Sequence, residues 1–273
     1  MYRCPVCAEA LSANSAGLAC VNRHQFDRAR EGYVNLLPVQ QKNSKVPGDS
    51  AEMMQSRRLF LNAGHYQPLS DAVNQLLASV HPATLLDLGS GEGYYSNRLQ
   101  QALPETAVYG LDIAKTAVRY AAKAYPAVQY CVASAWHLPF ADQSFDAVLK
   151  LCAPCEPQEL ARVCKDGAAL LAISAAPQHL VELKQQVYPE VRLHSDAIPQ
   201  LEGFSHQQRQ QLSYQLQQVP VAELLALLEM TPLSWKFKPG QKQKFAETNP
   251  SISLDFYLDL YLKKQKQKQK QKQ

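Results

Sequence analysis

Residues Leu86-Asp87-Leu88-Gly89-Ser90-Gly91-Glu92-Gly93-Tyr94-Tyr95 constrain the fold of this chain more than any other stretch. The run from Ala83 to Leu88 reads as a parallel strand buried on both faces. It breaks into three alternating glycines, and a helix opens behind them. Glycine lets the backbone turn tightly and approach a ligand that a Cβ would push away. The unpaired N–H groups at the helix start face that ligand. A second strand, Val108-Tyr109-Gly110-Leu111-Asp112, ends in a carboxylate about 20 residues on, placed to bind both hydroxyls of a ribose. Together they predict an α/β fold with a doubly wound parallel sheet and an adenosine-containing ligand.

Glu92 decides which ligand. Dinucleotide-binding loops read Gly-x-Gly-x-x-Gly and face a pyrophosphate. Here the third glycine comes one residue early and Glu92 lies inside the loop. A carboxylate there repels a pyrophosphate and favours a ligand carrying a sulfonium and an ammonium. The expected cofactor is S-adenosyl-L-methionine, with Gly89, Gly91, Glu92 and Asp112 around it.

Strand–helix alternation continues beyond this unit. Strands are expected over 85–88, 108–111, 128–132, 145–151 and 167–173, with helices over 94–102, 114–124 and 157–163. Leu254, Phe256, Leu258, Leu260 and Leu262 alternate with Asp255, Tyr257, Asp259 and Tyr261, the period of a last strand. Residues 174–244 fit poorly. The glutamine-rich part, 185–218, reads as an insertion over the cleft. Trp235 and Phe237, interleaved with Lys236 and Lys238, suit either RNA or one buried strand face.

Ligands of open α/β sheets sit at the carboxyl ends of strands. Ser134 and Ala135 follow the third strand and are candidates for the adenine. Cys152-Ala153-Pro154-Cys155 follows the fourth and reads as a Pro-shaped wall of the acceptor pocket. No second cysteine pair lies nearby to make it a metal site. His179 follows the fifth strand, at the methionine end or the acceptor. Two helices, over 50–62 and 66–80, precede the first strand and can cover the cleft, with Tyr66 at their corner.

The N-terminus carries a second motif. Cys4-x2-Cys7 and Cys20-x3-His24 are 12 residues apart, giving three thiolates and an imidazole for a closed tetrahedral Zn2+ site, one structural ion per chain. A module this small cannot bury a useful core, so the metal would supply its folding energy. Residues 31–38 read as a short strand stopped by Pro38. Arg3, Arg23, Arg28 and Arg30 make the module locally basic. The expected organisation is a zinc-binding RNA-recognition module over 1–39, linker and cleft-covering helices over 40–82, the cofactor domain over 83–262, and a disordered Lys/Gln tail over 263–273.

No run approaches the ~18 apolar residues of a membrane span, so no membrane partner is expected. Seven cysteines without a signal peptide point to a reducing, cytoplasmic setting. The net charge of +4 is misleading. The tail Lys263–Gln273 alone holds six lysines and no acid, leaving the rest of the chain at −2.

The loop Leu86–Gly93 resembles the cofactor loop of class I methyltransferases. The zinc segment, residues 31–38, Pro47-Gly48-Asp49-Ser50-Ala51-Glu52-Met53-Met54, Ala63-Gly64-His65-Tyr66-Gln67-Pro68-Leu69 and Ala153-Pro154-Cys155 together resemble the bacterial large-subunit ribosomal RNA guanine N1-methyltransferases. The resemblance runs to about Trp235. It implies a class I sheet of about seven strands and a guanine in a 23S ribosomal RNA hairpin loop as substrate. It also implies a zinc module that helps grip the RNA, and a homodimer sharing its cleft. Cofactor contacts would fall to Tyr66, Gly91, Glu92 and His179, and zinc ligation to Cys4, Cys7, Cys20 and His24. No catalytic residue is assigned. A small-molecule methyltransferase with a structural zinc, a sister enzyme methylating a neighbouring guanine in the macrolide-resistance manner, and a non-enzymatic RNA-binding protein are the competing readings.

Overall fold

A computed structural model of the chain describes residues 1–39 and 50–265. The linker expected over 40–49 and the tail beyond 265 lie outside the described residues.

The zinc module contributes β1 (Ser12–Ala13), β2 (Gly17–Ala19), β3 (Gln25–Asp27) and β4 (Val34–Asn35). Helices α1 (Ala51–Asn62) and α2 (Gln67–Ala78) follow. Ser50 caps α1, its hydroxyl accepting from the Met53 N–H at 3.2 Å. Pro68 in the first turn of α2 gives up no hydrogen bond there. Then come β5 (Thr84–Leu88), α3 (Tyr94–Ala102), β6 (Ala107–Asp112), α4 (Lys115–Ala124), β7 (Gln129–Val132), β8 (Phe145–Leu151), α5 (Pro157–Val163) and β9 (Cys164–Ala175). The chain ends with α6 (Val181–Val187), β10 (Phe204–Leu216), α7 (Val221–Glu229), α8 (Gln241–Glu247) and β11 (Ile252–Lys263).

Eight strands form the main sheet in the order β10-β11-β9-β8-β5-β6-β7-β4. Pairs from β4 to β9 are parallel, and β11 and β10 add antiparallel. The six strands placed by the sequence are all present, and β10 makes the seventh. The eighth, β4, comes from the zinc module, where Val34 pairs with Cys131 and Asn35 with Val132.

Side chains alternate across the sheet, so β5 feeds two cores. Leu85 joins Leu69, Val73, Leu77, Leu99, Val118 and Leu183, contributed by helices on one face. Leu86 and Leu88 join Phe140, Phe145, Leu160 and Val163 on the other, together with Cys4, Leu18 and Leu36 of the zinc module. The module thus helps cover the second face. Tyr2 stacks on Phe140, ring centroids 5.2 Å apart, and meets Tyr109 edge-on at 6.0 Å.

Two expectations are corrected here. The glutamine-rich stretch is not wholly an insertion: β10 occupies 204–216 and pairs with β11 along most of its length. It is an edge strand with a polar outer face, and its outer row of backbone groups needs no apolar side chains. Trp235 lies in a 3-10 helix, Pro232–Lys236, and is 79% exposed, so it belongs to no buried strand face.

The acids of β11 also depart from a simple wet face. Asp259 is buried. Arg209 of β10 grips both its oxygens at 2.8 Å, and His206 Nε2 lies 2.9 Å from Oδ1. Arg209 also donates to the carbonyls of Asp196 and Ala197, tying the irregular segment before β10 to the sheet.

Candidate active site and zinc site

The chain reverses its order in the sheet at β5, which has β6 on one side and β8 on the other. A crevice is expected outside the carboxyl ends of strands at such a switch point. A cavity of about 470 Å³ occupies it. A roomier groove, about 670 Å³, lies between α5 and the end of β11 and has none of the loop glycines in its wall. The smaller cavity carries the chemistry.

The glycine loop is held tightly from below. The N–H groups of Gly89 and Ser90 both donate to the Leu111 carbonyl, at 2.8 and 2.9 Å. Gly89 has φ +82°, and a Cβ there would lie 2.7 Å from the Ala153 Cβ. Gly93 has φ +88°, and its Cβ would meet the Tyr130 hydroxyl at 2.5 Å. Asp112 clasps the loop from the next strand. Its Oδ2 accepts from the Gly91 N–H at 2.9 Å and its Oδ1 from the Ala114 N–H at 2.8 Å. Each carboxylate oxygen has a second lone pair for a ligand.

Six sequence-predicted residues, Gly89, Gly91, Glu92, Asp112, Ser134 and Ala135, come together in the wall of this cavity. The Ser134 hydroxyl accepts from the Trp136 N–H at 3.2 Å and so shapes the turn. Tyr66 and His179 lie outside the lining. Both pack on Phe256: Tyr66 edge-on at 5.4 Å, His179 at 4.5 Å. Burial, then the charges of His194 and Lys184, push His179 down to about 3, so its ring is neutral at pH 7. The wall also includes residues that local sequence did not single out as ligands: Met54, Arg57 and Leu61 of α1, Tyr95 of α3, and Trp136. Their only signal was position, α1 before the first strand and Tyr95 just behind the last loop glycine.

Three acids set the potential of the cavity. Asp87 and Glu92 are buried, and Asp112 is half-buried. Asp87 accepts from the Ser96 hydroxyl at 2.5 Å. Burial pushes its carboxyl up to about 7, and the charges of Asp112 and Glu92 push in the same direction.

At the N-terminus, the ligating atoms of Cys4, Cys7, Cys20 and His24 all lie within 4.8 Å of one another. Cys7 Sγ is 3.7 Å from Cys20 Sγ, and His24 Nδ1 is 3.5 and 3.4 Å from the sulfurs of Cys4 and Cys20. Zinc–sulfur bonds of about 2.3 Å and zinc–nitrogen bonds of about 2.0–2.1 Å give tetrahedral edges of roughly 3.5–3.8 Å. The four residues fit one Zn2+ bound through Nδ1, with no open coordination position. Two tight knuckles present them, with Ala8 N–H donating to the Cys4 carbonyl at 2.8 Å and Arg23 N–H to that of Cys20 at 3.0 Å. Cys152 and Cys155 join no such group among the described residues.

Residues 2–45 match the zinc-ribbon family model described as "RlmA, N-terminal", and residues 85–174 match the model "Methyltransferase domain". A relative from Streptomyces fradiae named 23S rRNA (guanine(748)-N(1))-methyltransferase is 31% identical over 262 residues, covering 92% of this chain and 91% of its own length. The chain belongs to the 23S rRNA (guanine-N1)-methyltransferase family. Two further members, from Micromonospora griseorubida and Bacillus subtilis (strain 168), carry the same activity provisionally in their names. They are 31% and 34% identical, covering 88% and 86% of this chain and 88% and 87% of their own. Membership brings S-adenosyl-L-methionine as cofactor and one structural zinc to the Cys3His cluster. Among the described residues, no helix is long and apolar enough to cross a membrane.

In a methyltransferase of this family the Asp87 shift has a measurable sign. The folded chain holds this proton to about pH 7, the unfolded chain only to about pH 4. Stability from this group is therefore lost as pH rises through that window. A cationic cofactor prefers the ionised carboxyl. S-adenosylmethionine is expected to bind about three- to tenfold more tightly at pH 7 than at about pH 5.5, below the α-amino range of about 7.7–8. S-adenosylhomocysteine, without the sulfonium, changes less, and Asp87→Asn flattens the dependence. Calorimetric titration across this range checks it, and a flat wild-type profile sets the idea aside.

Proposed function

We propose that this enzyme methylates N1 of a guanine in a hairpin loop of 23S ribosomal RNA. What carries the reading is the switch-point cavity, closed on one side by an acidic glycine loop and walled on the other by Leu151 to Pro154, in a chain alike along nearly its whole length to enzymes of that name. The bound cofactor supplies an electrophilic methyl group on a sulfonium. The protein's own part is positioning. The backbone at Gly89 and Gly91 cradles the cofactor, Glu92 faces its ammonium, and Asp112 takes the ribose hydroxyls. Ser134 and the backbone of Ala135 meet the adenine. Holding the reacting atoms at near-attack distance contributes most of the acceleration. A loop guanine unstacks for a few kcal/mol, so it can enter the cavity. Its N1 proton passes to water.

Trp136 favours RNA over a small-molecule acceptor. It lines the cavity yet is 48% exposed, as suits a platform for a splayed base. The module over 1–39 reads as an RNA-gripping unit, with residues 40–82 as linker and cover and the methyltransferase domain from 83 to 263, one residue beyond the expected boundary, because Lys263 ends β11 and is buried there, donating to the Cys164 carbonyl at 2.6 Å. Within the module, Arg23 and Arg30 are exposed, whereas Arg3 is engaged by Asp142 and Arg28 by the Gly32 carbonyl. A homodimer sharing the cleft and a cytoplasmic location complete the proposal. The test is transfer of labelled methyl from S-adenosylmethionine to unmodified 23S ribosomal RNA, with nucleoside mass analysis and primer-extension mapping. The expected product is 1-methylguanosine at one hairpin position. Cofactor binding without RNA methylation would shift the reading to a small-molecule acceptor.

A further inference from the structure

Tyr95 stands at the start of α3 and lines the cofactor cavity. Its hydroxyl is fully buried and has no hydrogen-bond partner among the described residues. Leaving a buried phenol unpaired costs about 1–3 kcal/mol. Nothing in the positioning of the cofactor described above uses it.

Its surroundings narrow what it awaits. Burial holds the phenol well above its ordinary range, and the nearby ionisable groups, Tyr66, Tyr214, Tyr94 and Cys152, are themselves neutral at pH 7. Tyr94 meets the Tyr95 ring edge-on at 5.1 Å. Tyr214 is already engaged, donating to the His65 carbonyl at 2.9 Å. Across the cavity wall stand Cys152, Ala153 and Pro154, where the chain leaves β8 with Cys152 at φ +51°. These are aromatic and weakly polar walls. They suit a flat, neutral ring bearing one acceptor oxygen. A carboxylate is costly to bury among them.

We propose that Tyr95 is a catalytic residue that donates a hydrogen bond to O6 of the acceptor guanine. The assignment rests on the guanine-N1 reading of this site. Loss of the N1 proton spreads negative charge onto O6. A neutral donor fixed at that oxygen stabilises the anionic base and so eases departure of the proton to water. The same bond would help select guanine, because a base lacking O6 leaves the phenol unpaired.

The experiment compares wild type and Tyr95→Phe, each saturated with S-adenosylhomocysteine, binding a target hairpin that carries either guanine or 2-aminopurine, which has no O6. Wild type is expected to prefer guanine by about tenfold. In Tyr95→Phe guanine affinity drops to near that of 2-aminopurine, whose own affinity is unchanged. In turnover on the guanine hairpin, the rising limb of kcat against pH moves to more alkaline pH in Tyr95→Phe. Unchanged S-adenosylhomocysteine affinity shows that the variant is folded. Full guanine preference in Tyr95→Phe overturns the proposal, as does a loss of S-adenosylhomocysteine affinity with that preference intact, which would hand the phenol to the cofactor. If wild type makes no 1-methylguanosine on the guanine hairpin, the guanine-N1 reading itself fails. Methylation by a wild type indifferent to O6 sinks only the role of Tyr95.

Discussion

Stripping zinc from this enzyme is expected to unfold its N-terminal module and to lower the Tm of the remainder by about 10 °C. The module has four short strands, three of them in a small sheet of their own, and little core, so the metal provides most of its folding energy, about 10–16 kcal/mol in isolated zinc modules. The wider effect follows from the docking. Leu36 and Val34 are nearly inaccessible, and Tyr2 lies against Phe140 and Tyr109. Each large apolar side chain exposed by module melting costs about 1.5–3 kcal/mol. At about 2–4 °C per kcal/mol for a domain of this size, two such losses account for the shift. Thermal unfolding with and without a zinc chelator, alongside Cys4→Ser and metal analysis, measures it. A protein purified free of zinc, with a Tm that neither chelator nor substitution alters, would falsify the structural role. Cofactor affinity should change little, because β7, β6 and the Asp112 clasp lie between the module's strand β4 and the glycine loop.

The sheet was most legible where local pattern and tertiary role coincide. Helix α3 spans the expected residues 94–102, and β8 spans 145–151. β8 is a largely apolar run between polar turns, and α3 opens directly behind the loop glycines and closes before Pro104. Strand β10 was illegible because its order comes from its partner. Its glutamines are exposed on both faces, and only register with β11 makes the stretch a strand. The residues 34–35 were readable as extended, but not that they would extend the main sheet at β7. The cavity shows the same division. Gly89, Gly91, Glu92 and Asp112 follow directly from strand ends, while Arg57, Leu61 and Tyr95 reach it through helix packing that no short window encodes. Phe256 is the clearest case. Its place in the alternation of β11 marks it as core, yet it also joins Tyr66 to His179, 190 and 77 positions away.

Asp112→Ala is expected to weaken S-adenosylmethionine and S-adenosylhomocysteine binding by about 100-fold or more. Two losses add. The ribose loses an ionised acceptor for both hydroxyls, at about 1.5–3 kcal/mol for a charge-assisted bond. The loop loses the carboxylate that clasps the amides of Gly91 and Ala114, so the glycine backbone no longer waits in its bound shape. Asp112→Asn separates the two. Its amide keeps one acceptor oxygen, so it can satisfy one backbone N–H but not both, and its NH2 group can still donate to a ribose oxygen. An intermediate loss of about tenfold is expected for it. Both variants should stay folded, because Leu111 still receives the Gly89 and Ser90 amides. Calorimetric titration with S-adenosylhomocysteine reads the affinities, and hydrogen exchange at Gly91 and Ala114 reads the clasp. Affinity within threefold of wild type in Asp112→Ala would remove Asp112 from the cofactor site. Strong loss in Asp112→Ala with unchanged exchange at both amides would leave the ribose as its one partner. The pKa of Asp87 offers an internal control. The Asp112 charge helps raise it, so Asp112→Ala should bring the Asp87 carboxyl down toward its ordinary range and shift the pH dependence of the remaining binding to more acidic values.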